Sequence, residues 1–535
     1  MADKLYFSRD SKLYVELTGI NGSFQGLWEI PVLDGFSFSQ ATNQTEIGLQ
    51  EMESTAGVSR RGRRLFTDSL SPAEWSFSTY MRPTDHGSGK MHLVDQVLWA
   101  AMAGADNFNG ASVTGTGPAG TGNYTRSTNP VAGVGNTSGL VHDEEGATLP
   151  SGGTGGLLDF KNSNRATLPK ITLYFVFETD TSNPMVYKLS NAIVNECSID
   201  FDIDGIATSN WSGFAKEVTD LQSLGKVNVG GSAPSVAQDL VFLDSSNDYR
   251  LSVPIDADNG TNPPTHDAFR TAITTGVTST KNFIRNRLTQ LEVRGQNPDV
   301  MQGKRIAIDS YDSSSGEFTT ASAHGLQVDD VVRISGTSGA TTASFEDLNL
   351  FVKSKGSTTF ILAATKGGSA ITGALTVTSA VVDTGIYSFT LTGGNITIGN
   401  NVTYLVPEEI GTINKPIEGV TGARAIGGNF TCYLVFDNTT GVSGHTGASA
   451  DFFSDLVNPQ GGLTKVVNDF NVTFKVGGTT AGQPRVNLNF PKVHIDVPAH
   501  SIEDVISLET NFGAYTEDFD TADEFQIEVF GVTVT

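Results

Sequence analysis

Residues 197–207 read CSIDFDIDGIA, so Asp200, Asp202 and Asp204 alternate with Ile199, Phe201 and Ile203. Carboxylates at that spacing suit a metal site, a catalytic cluster or a charged wall. The letters DFDIDG copy the opening of a calcium-binding EF-hand loop, D-x-D-x-D-G, with Gly205 at its sixth position. That loop ends on a bidentate Glu at position twelve, where this chain has Trp211, and it needs flanking helices. Strict apolar alternation is instead the signature of a strand. Along a strand, positions i and i+2 lie roughly 6.6 Å apart on one face. Three carboxylates so placed do not converge on one ion without ligands from elsewhere. Two readings remain, a solvated strand face and a strand whose acidic face lines something large.

Other chemistry finds little support. The eight histidines form no H-E-x-x-H or H-x-x-x-H pair. GTGPAGTG (115–122) and GVGNTSG (133–139) lack the P-loop lysine and a following helix. No G-x-S-x-G elbow occurs, and no pair of carboxylates is singled out for glycoside hydrolysis. The expectation is a protein without enzyme activity, cofactor or metal site. Cys197 and Cys432 each fall in an apolar, strand-like run and read as buried free thiols.

Composition sets the class of scaffold that holds these residues. Only 17% of the 535 residues are charged, the net charge is −24, and glycine occurs 59 times. Few long charged helices and abundant Gly, Thr, Ser and Asn predict a mainly β protein with a few short helices. A strongly acidic chain is a poor ligand for nucleic acid, because holding a duplex requires Lys and Arg to displace counterions. MADKLYFSRD lacks the apolar stretch of a signal peptide, and no run of 18 apolar residues occurs. No membrane partner is expected, and the chain reads as soluble in the cytoplasm where it is made.

The chain reads as two divergent copies of one pattern. KITLYFVFE (170–178), a turn, MVYKLSNAIV, SIDFDIDGI and SNWSGFAKE follow in that order. FNVTFKV (470–476), the turn GGTTAGQP, RVNLNFPKVHIDV and IEDVISLETNFGAYTED repeat it. Upstream, RRLFTDSLSPAEWSFSTYMRP (63–83) leads into SGKMHLVDQVLWAAMAG (88–104), where Met91, Val94, Leu98, Ala101 and Met102 have helical spacing and Gly104 suits a C-cap. TGARAIGGNFTCYLVFD (421–437) leads likewise into ASADFFSDLVNPQ (448–460), with Ser449 as the expected N-cap and Phe452, Phe453, Leu456 and Val457 as the buried face. Between the copies a short helix is expected around Asp267–Ile273 and a strand around Phe283–Val293.

Two insertions interrupt the pattern. Residues 103–165 read as a long Gly/Thr/Asn loop of the first copy. Residues 303–384 carry short strands with tight turns, in GEFTTASAHGLQVDDVVRISG, FEDLNLFVKSKGSTTFILA and ALTVTSAVV, which suits a small inserted β-barrel-like domain.

GVSRRGRRLFTDSLSPAEWSFSTYMRP, INKPIEGVTGARAIGGNFTCYLVF and their helices, with the terminal hairpin and FDTADEFQIEVFG (519–531), resemble the tail tube proteins of long-tailed bacteriophages. The type VI secretion tube uses a similar fold. HGLQVDDVVRISG (324–336) separately resembles small β domains inserted into phage virion proteins. The likeness implies two tandem β-sandwich or barrel units, 1–230 and 231–302 with 385–535, around the inserted 303–384 domain. It further implies units joined edge to edge in a trimeric ring with six pseudo-equivalent positions, stacked into a tube in the virion tail. Four strands from each unit would give about 24 strands at roughly 4.8 Å spacing, tilted near 40°, and a lumen on the order of 35–40 Å. Within it Asp200, Asp202, Asp204 and Asp496 would line an acidic conduit through which DNA passes without specific binding during ejection into the host. Arg60, Arg61, Arg63 and Arg64 would meet acidic surface on the neighbouring ring; a solvated loop, or contact with nucleic acid or tape measure, are the other readings of that cluster. The implied partners are further copies of the chain, a tape-measure protein, baseplate and tail-terminator proteins, and a sheath in contractile tails. A phage adhesin or capsid-decoration protein is the alternative.

Overall fold

The computed structural model describes residues 7–8, 11–18, 24–33, 35–46, 65–85, 91–104, 140–142, 156–160, 168–177, 185–202, 204–220, 241–243, 249–251, 281–296, 298, 301–346, 348–406, 415–436, 446–457, 470–478, 483–502, 505–516 and 524–531. Arg60, Arg61, Arg63 and Arg64, the segment Asp267–Ile273 and most of the 103–165 loop lie outside them. The protein is mainly β, as composition predicts, with two α-helices among the described residues.

One arrangement of strands occurs twice. In the first half, β1 (Ser11–Thr18) pairs with β2 (Phe24–Ile30), and β3 (Ser37–Glu46) with β4 (Leu65–Tyr80). After helix α1 (Gln96–Ala103) come β5 (Lys170–Phe177), β6 (Met185–Phe201) and β7 (Thr208–Ala215). β6 serves two layers: its first half pairs with β5, which also pairs with β1, and its second half pairs with β7, which pairs with β4. A register shift between Leu189 and Ala192, with Asn191 at φ 49°, bends the strand from one layer into the other.

In the second half, β8 (Gln290–Gly295) pairs with β9 (Ile386–Gly399), which pairs with β10 (Ala425–Tyr433). Helix α2 (Ser449–Val457) is followed by β11 (Phe470–Val476), β12 (Arg485–Ile495), β13 (Ala499–Ile502) and β14 (Ile506–Tyr515). β9 covers alone what β2 and β3 cover in the first half. β12 pairs with β11 over its first part and with β14 over its last four residues, and β13 resumes the ladder with β14 after a break.

The halves are stitched by β6 and β9, from Glu196↔Gly399 to Phe201↔Gly394. The result is a continuous sheet in the order β3–β4–β7–β6–β9–β10–β14. One apolar cluster runs behind it through both halves. In the first it centres on Trp75, Trp99 and Trp211, in the second on Phe430, Phe452, Phe474, Phe490 and Phe512.

Both helices seat on this core through buried carboxylates. Ahead of α1, Asp95 accepts hydrogen bonds from Thr79 Oγ1 (2.7 Å) and Trp211 Nε1 (3.0 Å). Within α2, Asp455 accepts from the Tyr387 hydroxyl (2.6 Å). The helix at 96–103 starts later than its spacing suggests, because Met91 belongs to a short strand, and Gly104 ends it at φ 79°. Ser449 is not an N-cap: its hydroxyl donates to Tyr433 O and accepts from Val435 N, tying the helix to β10. Asp451 instead gathers the Thr446, Gly447 and Ala448 amides. Phe452 is buried as expected, but Val457 is 45% exposed, because Asp455 takes a core-facing position.

Six strands between Arg305 and Asp383 close into a barrel of their own around Phe318, Phe345, Phe360 and neighbouring aliphatics. It enters after β8 and leaves before β9, the place in the element order that corresponds to the β1–β2 connection of the first half. A buried ion network seats it. Arg294 on β8 donates to Glu292 on the same strand, to Asp330 of the barrel and to Gly325 O, while Lys475 on β11 completes the coordination of Glu292.

Candidate functional site

The alternation expected from 197–203 holds as far as the strand runs. Ile199 and Phe201 are buried and Asp200 is exposed. The strand stops at Phe201, so Asp202 and Asp204 are exposed in the turn to β7, where Gly205 adopts φ 150°, and they do not extend the ladder. Ile203 lies outside the described residues. Asp496 is also exposed, in the break between β12 and β13, with His494 Nε2 3.5 Å away. It is not the positional counterpart of Asp200. Asp200 pairs with Thr208, which pairs with Tyr80; the counterpart of Thr208 is Ser507, which pairs with Tyr433 and, on its other side, with Ser501.

Asp200 belongs to a polar row that crosses the sheet. Its carboxylate accepts hydrogen bonds from Asn210 Nδ2 on β7 (2.8 Å) and from Asn395 Nδ2 on β9. Asn210 accepts in turn from Ser78 on β4 (2.7 Å), and Asn395 from Thr397 (2.9 Å). The row continues by register through Asn395↔Asn429 and Asn429↔Asn511. A parallel row runs Ser78, Asn210, Ser198, Thr397, Gly427 and Gly513, and a third Ser37, Ser76, Ser212, Glu196 and Gly399.

Along these rows the strands send large apolar side chains backward and small polar ones forward, which keeps that part of the front face low. The bulge on β9 tightens it further. Gly394 sits at φ 155°, and a Cβ on Gly428 opposite would lie 1.9 Å from Asn395 O, so only glycine fits there. Glu74, Glu196, Asp200 and Glu509 project from this face, and Lys492 and His494 are the bases on β12 beside it. The face is amide-rich and net acidic, and among the described residues no group of three or more His, Cys, Asp or Glu could hold a metal ion.

Sequence reasoning named Asp200 and missed its amide partners. A signal was present: GGN occurs at 393–395 and again at 427–429, and these segments face each other on β9 and β10. The carboxylates Glu74, Glu196 and Glu509 were missed because none stands in a period-two acidic run like that of Asp200, Asp202 and Asp204.

No protein-family model matches the chain. Among curated proteins it aligns with the tail tube protein pb6 of Escherichia phage T5 over 524 residues at 22% identity, covering 97% of this chain and 75% of that protein. The chain is similar to a phage tail tube protein. The resemblance extends across nearly the whole chain, and it supports a structural role in the tail of a virion. The mainly β architecture accords with that role.

Proposed function

We propose that the chain builds the wall of a phage tail tube. In this reading residues 1–230 form one tube unit, residues 231–302 and 385–535 a second, duplicated from the first, and 303–384 an inserted domain. Three copies make a ring with six pseudo-equivalent positions, and rings stack into a conduit for DNA. The tape-measure protein occupies it during assembly, baseplate and terminator proteins close its ends, and a sheath surrounds it if the tail contracts. Assembly takes place in the host cytoplasm.

The supporting observation is the β6–β9 seam. Within the chain it joins the second half of β6, the outermost strand of the first half's sheet, to β9, the first long strand of the second half. The matching strands at the far ends are half-paired: among the described residues β3 pairs only with β4, and β13 only with β14. An unpaired edge is a template for another strand, and closure into a barrel removes it. Aligning FSTYM (77–81) with FTCYL (430–434) carries the seam register Asp200↔Asn395, Ile199↔Ile396 onto Ser501↔Ser37, His500↔Phe38 between copies.

The front face then turns to the lumen, with Asp200 in the polar rows and Asp202, Asp204 and Asp496 at their ends. Duplex DNA carries one negative charge per about 1.7 Å of axis. A wall with few bases offers it no chain of phosphate contacts, so it moves without a deep binding minimum. Arg60, Arg61, Arg63 and Arg64 would meet acidic surface of the next ring.

Electron microscopy of the purified chain tests the reading. Stacked rings with an open pore are expected, and His500→Pro, at an exposed position of the edge strand β13, should leave only unassembled chains of unchanged fold. A wild-type chain that stays monomeric at every concentration would sink it.

A further inference from the structure

The halves also meet along a second line. Segment 281–288, just upstream of β8, lies across the end of the first half's sheet. Ile284 O accepts a hydrogen bond from Ala207 N (3.0 Å), Arg285 bridges to Ile206, and Asn286 N donates to Gly205 O (3.2 Å). The Phe283 ring stands edge-on to Tyr80 at 5.3 Å, and the Arg82 guanidinium lies over the Phe283 ring, 4.7 Å from its centroid.

Both parts of this joint are repeated elsewhere in the chain. FSRDSKLYVELTG (7–19), leading into β1, matches FIRNRLTQLEVRG (283–295), leading into β8, with Phe, Arg, Glu and Gly at the same offset. The ladders confirm the alignment, since Val15 pairs with Leu173 as Leu291 pairs with Phe474. The receiving end recurs as well. Met81 N donates to Ala207 O (2.8 Å) in the first half, and Leu434 N to Ile506 O (2.9 Å) in the second. Tyr80 therefore corresponds to Tyr433, and Ala207 to Ile506.

In the second half this end carries no crossing segment among the described residues. Tyr433 is 47% exposed, Val505 56% and Ile506 38%, and Phe7 is 52% exposed at the other end of the chain. We propose that the stretch around Phe7 of a neighbouring copy lies across Tyr433, Val505 and Ile506, as the stretch around Phe283 lies across Tyr80, Ile206 and Ala207. This clasp rests on the ring reading and adds to it a second contact beside the strand seam. Val435 stands where Arg82 stands, so the contact between copies is apolar where the one within the chain is cation–π, and it responds less to salt.

The test uses p-benzoyl-phenylalanine at position 7 of the full chain, irradiated in assembled rings, with cross-linked peptides mapped by mass spectrometry. The expected product joins two copies through a peptide containing Tyr433 or Val505–Ile506. The same probe at position 283 should link to the Tyr80 peptide of its own chain. Rings that form but cross-link from position 7 only within one chain, or to another surface, overturn the clasp and leave the ring standing. A chain that forms no rings overturns both. In parallel, Phe7→Ala should raise the concentration for half-assembly by about tenfold, the order expected from exposing one phenylalanine, with an unchanged unfolding midpoint for the unassembled chain; unaltered assembly counts against the clasp.

Discussion

Glu16 on β1 and Glu292 on β8 hold the same place in the two halves, each followed three residues later by glycine. Glu16 accepts a hydrogen bond from the Tyr174 hydroxyl (2.7 Å), and burial raises its pKa against the opposing pull of that hydroxyl and of Lys188. At the position of Tyr174 the second half has Lys475, and at the position of Thr18 it has Arg294. Burial works against ionisation of Glu292 too, but Arg294 and Lys475 together outweigh it and hold the carboxyl below its usual range. One carboxylate is nearly a spectator, the other a counter-ion. The difference follows from the barrel that the second half carries, because Arg294 must reach Asp330 and Gly325 across the joint while staying neutralised in a buried place.

The comparison breaks most severely at Arg294. Arg294→Ala leaves Glu292 and Asp330 facing each other without their shared cation and should cost about 3–5 kcal/mol, read as loss of denaturant resistance and faster proteolytic release of the barrel. Glu292→Gln removes the anion from two cations and should cost about 1.5–3 kcal/mol by the same assay. Glu16→Gln keeps an acceptor for Tyr174 and relieves a buried charge, so at pH 7 it should stay within about 1 kcal/mol of the parent. Equal losses from the two glutamine variants would erase the distinction.

The helix anchors extend the comparison to pH. Burial raises the Asp95 carboxyl to about 6, against which the hydroxyl of Thr79 and the indole of Trp211 pull downward. Its pKa in the unfolded chain is near 3.9. Between about pH 4 and 6 the folded state therefore binds more protons. The stability this gives is complete below about pH 4 and is lost as pH rises through 6, a change on the order of 3 kcal/mol. Asp95→Asn should flatten that part of the stability profile, measured as the shift in unfolding midpoint between pH 4.5 and 7.5. A variant retaining the parental slope would assign it to other groups. The smallest effect is expected at Val457, exposed at the end of α2, where Val457→Ala should change stability by less than about 0.5 kcal/mol.

What was legible in the sequence were features written by near neighbours. Alternation marked β5, β6, β7 and β11, the helix at 96–103 and its terminal Gly104 showed in their spacing, and Cys197 and Cys432 are buried free thiols as their apolar surroundings suggested. What escaped was lateral. Asp200 meets Asn395 across 195 positions of chain, and only the register of β6 against β9 brings them together. Asp202 and Asp204 share the alternation of Asp200, yet the ladder ends at Phe201, and a period-two pattern does not mark where pairing stops. Ser449 had the right type and place for a cap, but a nearby strand end competed for its hydroxyl. Asp455 was passed over because a carboxylate on a helix normally faces water, and its tyrosine partner lies 68 residues away.

The inserted barrel leaves and rejoins the sheet through Gly295 and Gly385, whose backbones share a hydrogen bond of 2.8 Å. Chain ends that close make the appendage exchangeable: a lineage could swap it for another fold, or delete it and bridge the gap with a short connection, without disturbing any strand of the main sheet. Such a deletion would strand Arg294, so its replacement by threonine, the residue at position 18, is the compensating change that would mark the event in a descendant.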